Sequence, residues 1–173
     1  MKLLSKILLI SYLIIVLWLA LFKLSLDLTP ILNYHTRSLN FIPFSDMITA
    51  GVSGSLREIL YNLAAFIPMG LLLSVNCKKA NVWQKLALII VFSLMIEAVQ
   101  YIFAIGASDI TDIISNALGG LLGLILYKVF NKFIAKEKLD KFIVITGISM
   151  LVLLLLLRVV VFRNISYYSA HHV

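Results

Sequence analysis

The chain has a single cysteine, Cys77, only three prolines, and 13% charged residues across 173 positions. One cysteine excludes an internal disulfide. It stands beside Lys78 and Lys79, where a small residue at a helix end is a better reading than a reactive thiol. Acidic residues are scarce, eight against fifteen Lys and Arg, which leaves a formal net charge of +7. The three histidines, His35, His171 and His172, lie outside the long apolar stretches, so no buried nucleophile–base pair is visible. There is no G-x-x-x-x-G-K-[ST] phosphate loop, no H-E-x-x-H, no G-x-S-x-G and no C-x-x-C. These absences leave no motif for nucleotide, zinc, acyl-transfer or thiol chemistry, and neither a metal site nor a cofactor is expected.

What is abundant is hydrophobicity, with 62% of residues apolar and a mean hydropathy of +1.05. Soluble domains run at about 45–50% apolar. The apolar runs are long and do not alternate, which excludes a membrane barrel and leaves helices, whose backbone amides are satisfied internally in hydrocarbon. A span needs about 20 residues. Five stretches qualify or nearly so, at 4–22, 58–75, 86–105, 112–130 and 142–162. The expected architecture is an all-α membrane protein of about five transmembrane helices, forming one domain over 1–173. The first run is longer than a signal-peptide core and lacks a small-x-small cleavage site, so it reads as an uncleaved span.

Lys and Arg set the expected orientation. Ten of the fifteen (Lys2, Lys6, Lys78, Lys79, Lys85, Lys128, Lys132, Lys136, Lys138 and Lys141) fall on one side if the N-terminus is cytoplasmic and the C-terminus outside. The basic balance therefore reflects membrane topology, and no nucleic-acid partner is expected. The segment 23–57 becomes a long first extracytoplasmic loop. Its apolar stretch 39–44 is expected to fold back on the outer membrane surface.

Polar residues recur at helical spacing in the outer halves of three spans. Glu58 and Asn62 share one face of the second, Ser93, Glu97 and Gln100 one face of the third, and Asp112, Asn116, Gly119 and Gly123 one face of the fourth. At about 1.5 Å rise per residue, Asn62, Gln100 and Asn116 lie roughly 6–8 Å outward from the middles of their spans. Glu97 is close to the midplane, where a charge costs about 2.5–3.5 kcal/mol on insertion scales. It must face other helices, protonated or paired, with Arg37, Arg57, Asn62 and Asn116 as candidate partners. Two readings compete, an outward polar pocket and interhelical hydrogen bonding worth about 0.6 kcal/mol per contact. The carboxylate favours the pocket, because neutral amides would suffice for adhesion. Pro68 frees the carbonyl of Ala64, and Gly119 with Gly123 forms a G-x-x-x-G that lets a helix approach closely. Asp109 and Asp112 suit either a divalent cation or a helix N-terminus capped by Ser108 or Asp109. The cap is the preferred reading.

The motifs occur in a definite order: Arg37; Asn40-Phe41-Ile42-Pro43-Phe44; Asn62 with Phe66-Ile67-Pro68-Met69-Gly70; Ser93, Glu97 and Gln100; then Asp109, Asp112, Asn116 and Gly119. This order resembles the VanZ-like family of small bacterial membrane proteins over about 37–123, with the helix at 142–162 lying beyond the motifs. One departure is the absence of a basic residue in 105–108, just before Asp109. The resemblance implies a multi-pass protein of the bacterial cytoplasmic membrane with a role in the cell envelope, since the family's named member is an accessory protein in resistance to glycopeptides, notably the lipoglycopeptide teicoplanin. The expected pocket comprises Arg37, Asn40, Asn62, Glu97, Gln100, Asp109, Asp112 and Asn116. Pro43, Phe44, Phe66, Pro68, Gly70, Gly119 and Gly123 would shape it. Its expected partners are membrane lipids, a lipid-linked cell-wall precursor or a lipoglycopeptide. The rival readings are an intramembrane acid–base enzyme using Glu97 or Asp112 on an envelope lipid, and a small transporter, for which no inverted repeat is visible.

Overall fold

The structure, a computed structural model, describes residues 1–22, 38–45, 52–104 and 107–171. Its elements in chain order are α1 (Lys2–Phe22), β1 (Ser38–Asn40), α2 (Val52–Asn76), α3 (Val82–Phe103), β2 (Ala107–Asp109), α4 (Ile110–Phe133) and α5 (Lys136–His171). Among the described residues, four helical segments are long and apolar enough to cross a membrane: Lys2–Ala20, Gly54–Asn76, Val82–Phe103 and Ile110–Phe133. The expected stretch 142–162 lies inside α5. The protein is an all-α membrane protein in class.

Local chemistry sets the helix ends. Asn81 opens α3 with a capping box, its side chain accepting from Gln84 N–H at 2.8 Å while Gln84 accepts from Asn81 N–H at 2.9 Å. The helix closes at Phe103, two residues earlier than the sequence suggests, because Ala104 turns left-handed at φ 52°. The short turn after α2 makes α3 antiparallel to it. Asn76 Nδ2 donates to the Ser5 carbonyl at 3.1 Å, so α1 begins where α2 ends. Lys78 Nζ pairs with Asp140 at 2.6 Å and the Tyr127 hydroxyl donates to the same carboxylate at 2.7 Å, which brings the start of α5 to that end too. The ten lysines named above therefore gather at one end of the bundle, and the polar residues lie toward the other.

The central pair is α2 and α4, packed backbone to backbone. A Cβ on Gly70 would sit 2.1 Å from the Gly120 carbonyl oxygen, and one on Gly123 would sit 2.1 Å from the Ile67 carbonyl oxygen. Gly119 faces Leu63 in the same way, at 2.4 Å. The G-x-x-x-G is thus a packing device. Around this contact Val16, Phe66, Met69, Leu73, Ile89, Ile96 and Leu124 form the main core. Leu8, Leu72, Val75, Tyr127, Leu139 and Val144 form a second cluster at the lysine end. The Tyr12 hydroxyl of α1 donates to the Ala65 carbonyl of α2, one residue beyond the carbonyl that Pro68 deprives of its donor. Leu88, Val91, Leu94 and Met95 on α3 and Ile7, Ile10 and Ile14 on α1 remain exposed, as expected of faces that meet lipid.

One feature of the fold is absent from the sequence reading. Strands β1 and β2 pair in parallel, with Ser38 opposite Ala107, Leu39 opposite Ser108 and Asn40 opposite Asp109. Each has three residues, too few to display the alternation by which strands are recognised. The pairing fixes part of the 23–57 segment onto the polar end of the bundle.

Candidate functional site at the polar end of the bundle

The site begins with a turn. Asn40 Oδ1 accepts from Ile42 N–H at 3.2 Å, and Ser45 N–H donates to the Ile42 carbonyl at 3.3 Å. Pro43 therefore occupies the second position of a four-residue turn and Phe44, at φ 61°, the third. Proline followed by a positive φ matches a type II turn, in which that third position normally belongs to glycine. A phenylalanine is held there because its N–H donates to Thr111 Oγ1 at 3.0 Å, at the start of α4. The N-x-x-P-F motif is thus a locked turn.

The D-x-x-D motif is its receptor. Asp109 caps α4, accepting from Thr111 N–H at 2.7 Å with one oxygen and from Asn40 Nδ2 at 3.0 Å with the other. Asn40 Nδ2 also donates to Ser45 Oγ. Asp112, in the first turn of α4 where the helix dipole favours a carboxylate, accepts from Asn62 Nδ2 of α2 at 2.7 Å. The cap reading of this motif is the one the geometry realises. Among the described residues, no three His, Cys, Asp or Glu side chains converge on a metal position.

Glu97 is buried and pins β2 from behind. Its side-chain Oε2 accepts from Asp109 N–H at 3.1 Å, and its backbone carbonyl accepts from Ser108 Oγ at 2.9 Å. Of the partners expected for it, Arg37 lies outside the described residues and Arg57 is exposed on α2. Asn62 donates to Asp112, and Asn116 Nδ2 donates to Ser93 Oγ at 2.9 Å, tying α4 to α3. Gln100 turns toward α1 and donates to the Ala20 carbonyl at 3.1 Å. Among the described residues, the buried oxygens Gln100 Oε1 and Asn116 Oδ1 have no hydrogen-bond donor.

Between these elements lies a small, half-open cleft lined by Phe44, Ser55, Glu58, Ile59, Asp109, Thr111 and Asp112. Of the residues singled out from sequence, Glu58, Asp109, Asp112 and Phe44 line it. Asn40 and Asn62 orient the two aspartates, and Glu97 supports the strand behind them. Gln100 and Asn116 lie elsewhere in the helix interfaces. Ser55, Ile59 and Thr111 were not anticipated. Their only sequence signal is position: Ser55 and Ile59 lie on the face of α2 that carries Glu58 and Asn62, and Thr111 follows the capping aspartate by two residues. The lining offers carboxylate and hydroxyl oxygens, so it suits groups that donate hydrogen bonds. Its enclosed space, ≈ 20 Å³, is far below the roughly 300–1,000 Å³ of sites that engulf drug-sized ligands, so it admits only a small polar group.

No solved structure matches the chain. It is 48% identical over 157 residues to Protein VanZ of Enterococcus faecium, a match spanning 91% of this chain and 94% of that protein. Residues 9–131, which include every motif described above, match the VanZ/LLP1 family. This chain therefore belongs to the VanZ/LLP1 family.

Proposed function

We propose that this protein is a cell-envelope component of the bacterial cytoplasmic membrane that contributes to glycopeptide resistance, acting through the cleft at its polar end. The ligand class is an amphiphile, a lipid-linked cell-wall precursor or a lipoglycopeptide, with its tail in the bilayer and its headgroup at the cleft. The supporting observation is convergence: segments around positions 40, 62, 97 and 109, far apart in sequence, meet at one end of the bundle in a single hydrogen-bonded construction around Asp109 and Asp112. The gathering of lysines at the opposite end supports an outward-facing cleft. Peptide amides, hydroxyls and amines of such headgroups match an acceptor-rich lining.

The test is direct binding. Purified protein in lipid nanodiscs is titrated with a fluorescent lipoglycopeptide and, separately, with a labelled lipid-linked precursor. Saturable binding of one of them is expected, weakened at least about tenfold in Asp112→Ala, the scale of about 1.4 kcal/mol, and unchanged in Lys79→Ala at the far end. No saturable binding of either by the unaltered protein would overturn the proposal.

A further inference from the structure

The turn that closes the cleft has a second face. Asn40 donates to Asp109 and to Ser45, and the Phe44 N–H is on Thr111. The intervening side chains point away from the bundle: Phe41 is 70% exposed and Ile42 68% exposed. Two large apolar residues are thus held at the entrance of a turn that five hydrogen bonds and a strand pairing fix in place. A feature of that kind in water would be an unexplained apolar projection.

Its depth supplies the occupant. Helix α4 has 24 residues, so it is about 36 Å long at 1.5 Å per residue, against a hydrocarbon core of about 30 Å. Ile110, its first residue, therefore lies near the boundary between hydrocarbon and headgroups. Strand β2 immediately precedes Ile110, and β1 is level with β2 through the pairing of Asn40 with Asp109. Phe41 and Ile42 follow directly. At the same end α3 finishes with Ile102 and Phe103, both exposed, and these continue the lipid-facing flank of Val91, Leu94 and Met95. The two side chains thus stand at a level where an amphipathic element lies in the interface with its apolar side in the acyl region.

We infer that Phe41 and Ile42 form a lipid anchor, inserting into the outer leaflet at the edge of the hydrocarbon and seating the mouth of the cleft at headgroup depth. The anchor is independent of what the cleft binds. It would admit ligands along the membrane plane and keep the turn from lifting off Asp109 and Thr111.

Spin-label accessibility tests it. Phe41→Cys and Ile42→Cys, each in a Cys77→Ser background, are labelled with a nitroxide and reconstituted in vesicles of phosphatidylcholine and phosphatidylglycerol. Label at Ile102→Cys serves as the lipid reference and label at Lys79→Cys as the aqueous one. Power-saturation spectra report collisions with oxygen, which partitions into lipid, and with a water-soluble nickel chelate. Oxygen is expected to dominate at both turn positions several-fold, as at Ile102. Dominance of the nickel chelate would place the turn in water and overturn the inference. Low collision rates with both reagents would show a protein cover, such as a second copy of the chain, and would overturn it equally. Because both side chains are exposed, the substitutions leave the core untouched, and elution identical to the parent protein confirms the fold.

Discussion

Gly123→Val is expected to remove nearly all folded protein from detergent extracts. A Cβ at position 123 would fall 2.1 Å from the Ile67 carbonyl oxygen and 3.0 Å from the Gly70 Cα. The clash is with backbone, so no rotamer change relieves it, and α2 and α4 must move apart. That separation would open the main core, where Phe66 and Met69 of α2 and Leu124 of α4 are all buried. Overpacking costs about 1–3 kcal/mol where side chains can yield, and the cost here should lie at or beyond the upper end. Gly120→Ala should be milder, because its nearest neighbour is the end of the Ile89 side chain at 2.6 Å. Gly54→Ala provides the opposite sign. Nothing lies within 4 Å of that position, and replacing a helical glycine should stabilise by about 0.4–1 kcal/mol. Fluorescence-detected size exclusion after a heat series ranks the three. Equal behaviour of Gly54→Ala and Gly123→Val would show that helix propensity, and not the α2–α4 contact, dominates.

The second large effect is expected at Glu97, where the substitutions Gln and Leu should part company. The carboxylate accepts from Asp109 N–H, and a glutamine oxygen can replace it in that bond. Leucine cannot, and it leaves a partly buried amide unpaired at a cost of about 1–3 kcal/mol. Glu97→Leu should therefore loosen β2, release the α4 cap and disorder the cleft, while the helices stay assembled. Hydrogen exchange read by mass spectrometry over residues 107–112 should accelerate at least about tenfold in Glu97→Leu, the exchange equivalent of about 1.4 kcal/mol. It should change little in Glu97→Gln. If Gln and Leu accelerate exchange equally, the negative charge matters more than the acceptor, and the pinning account of Glu97 fails.

These two sites mark what was legible in the sequence. The membrane class follows from the length and apolarity of the runs, because hydrocarbon admits few alternatives for the backbone. The capping role of Asp109 and the close approach at Gly119 and Gly123 follow from local spacing, which a single sequence displays. What a residue touches across long separations was not legible. Tyr12 reaches Ala65 and Lys78 reaches Asp140, pairings for which one sequence holds no signal. Glu97 suggested a pocket wall because a buried carboxylate demands a partner. A partner identified by the structure is the N–H of a three-residue strand, an element too short to be foreseen. The positive φ of Phe44 was likewise hidden, since the residue type argues against it and only the bond to Thr111 explains it. Arg37, the first of the motif residues, lies outside the described residues.

The protein is proposed to work through the cleft at the polar end of its bundle. Teicoplanin and vancomycin susceptibility in a Gram-positive host tests this most directly, comparing cells without the gene, with the gene, and with Asp112→Ala or Lys79→Ala at matched membrane levels. The gene is expected to lower teicoplanin susceptibility, Asp112→Ala to abolish the protection, and Lys79→Ala to retain it. Protection by Asp112→Ala equal to that of the unaltered protein would show that the cleft is not where the protein acts.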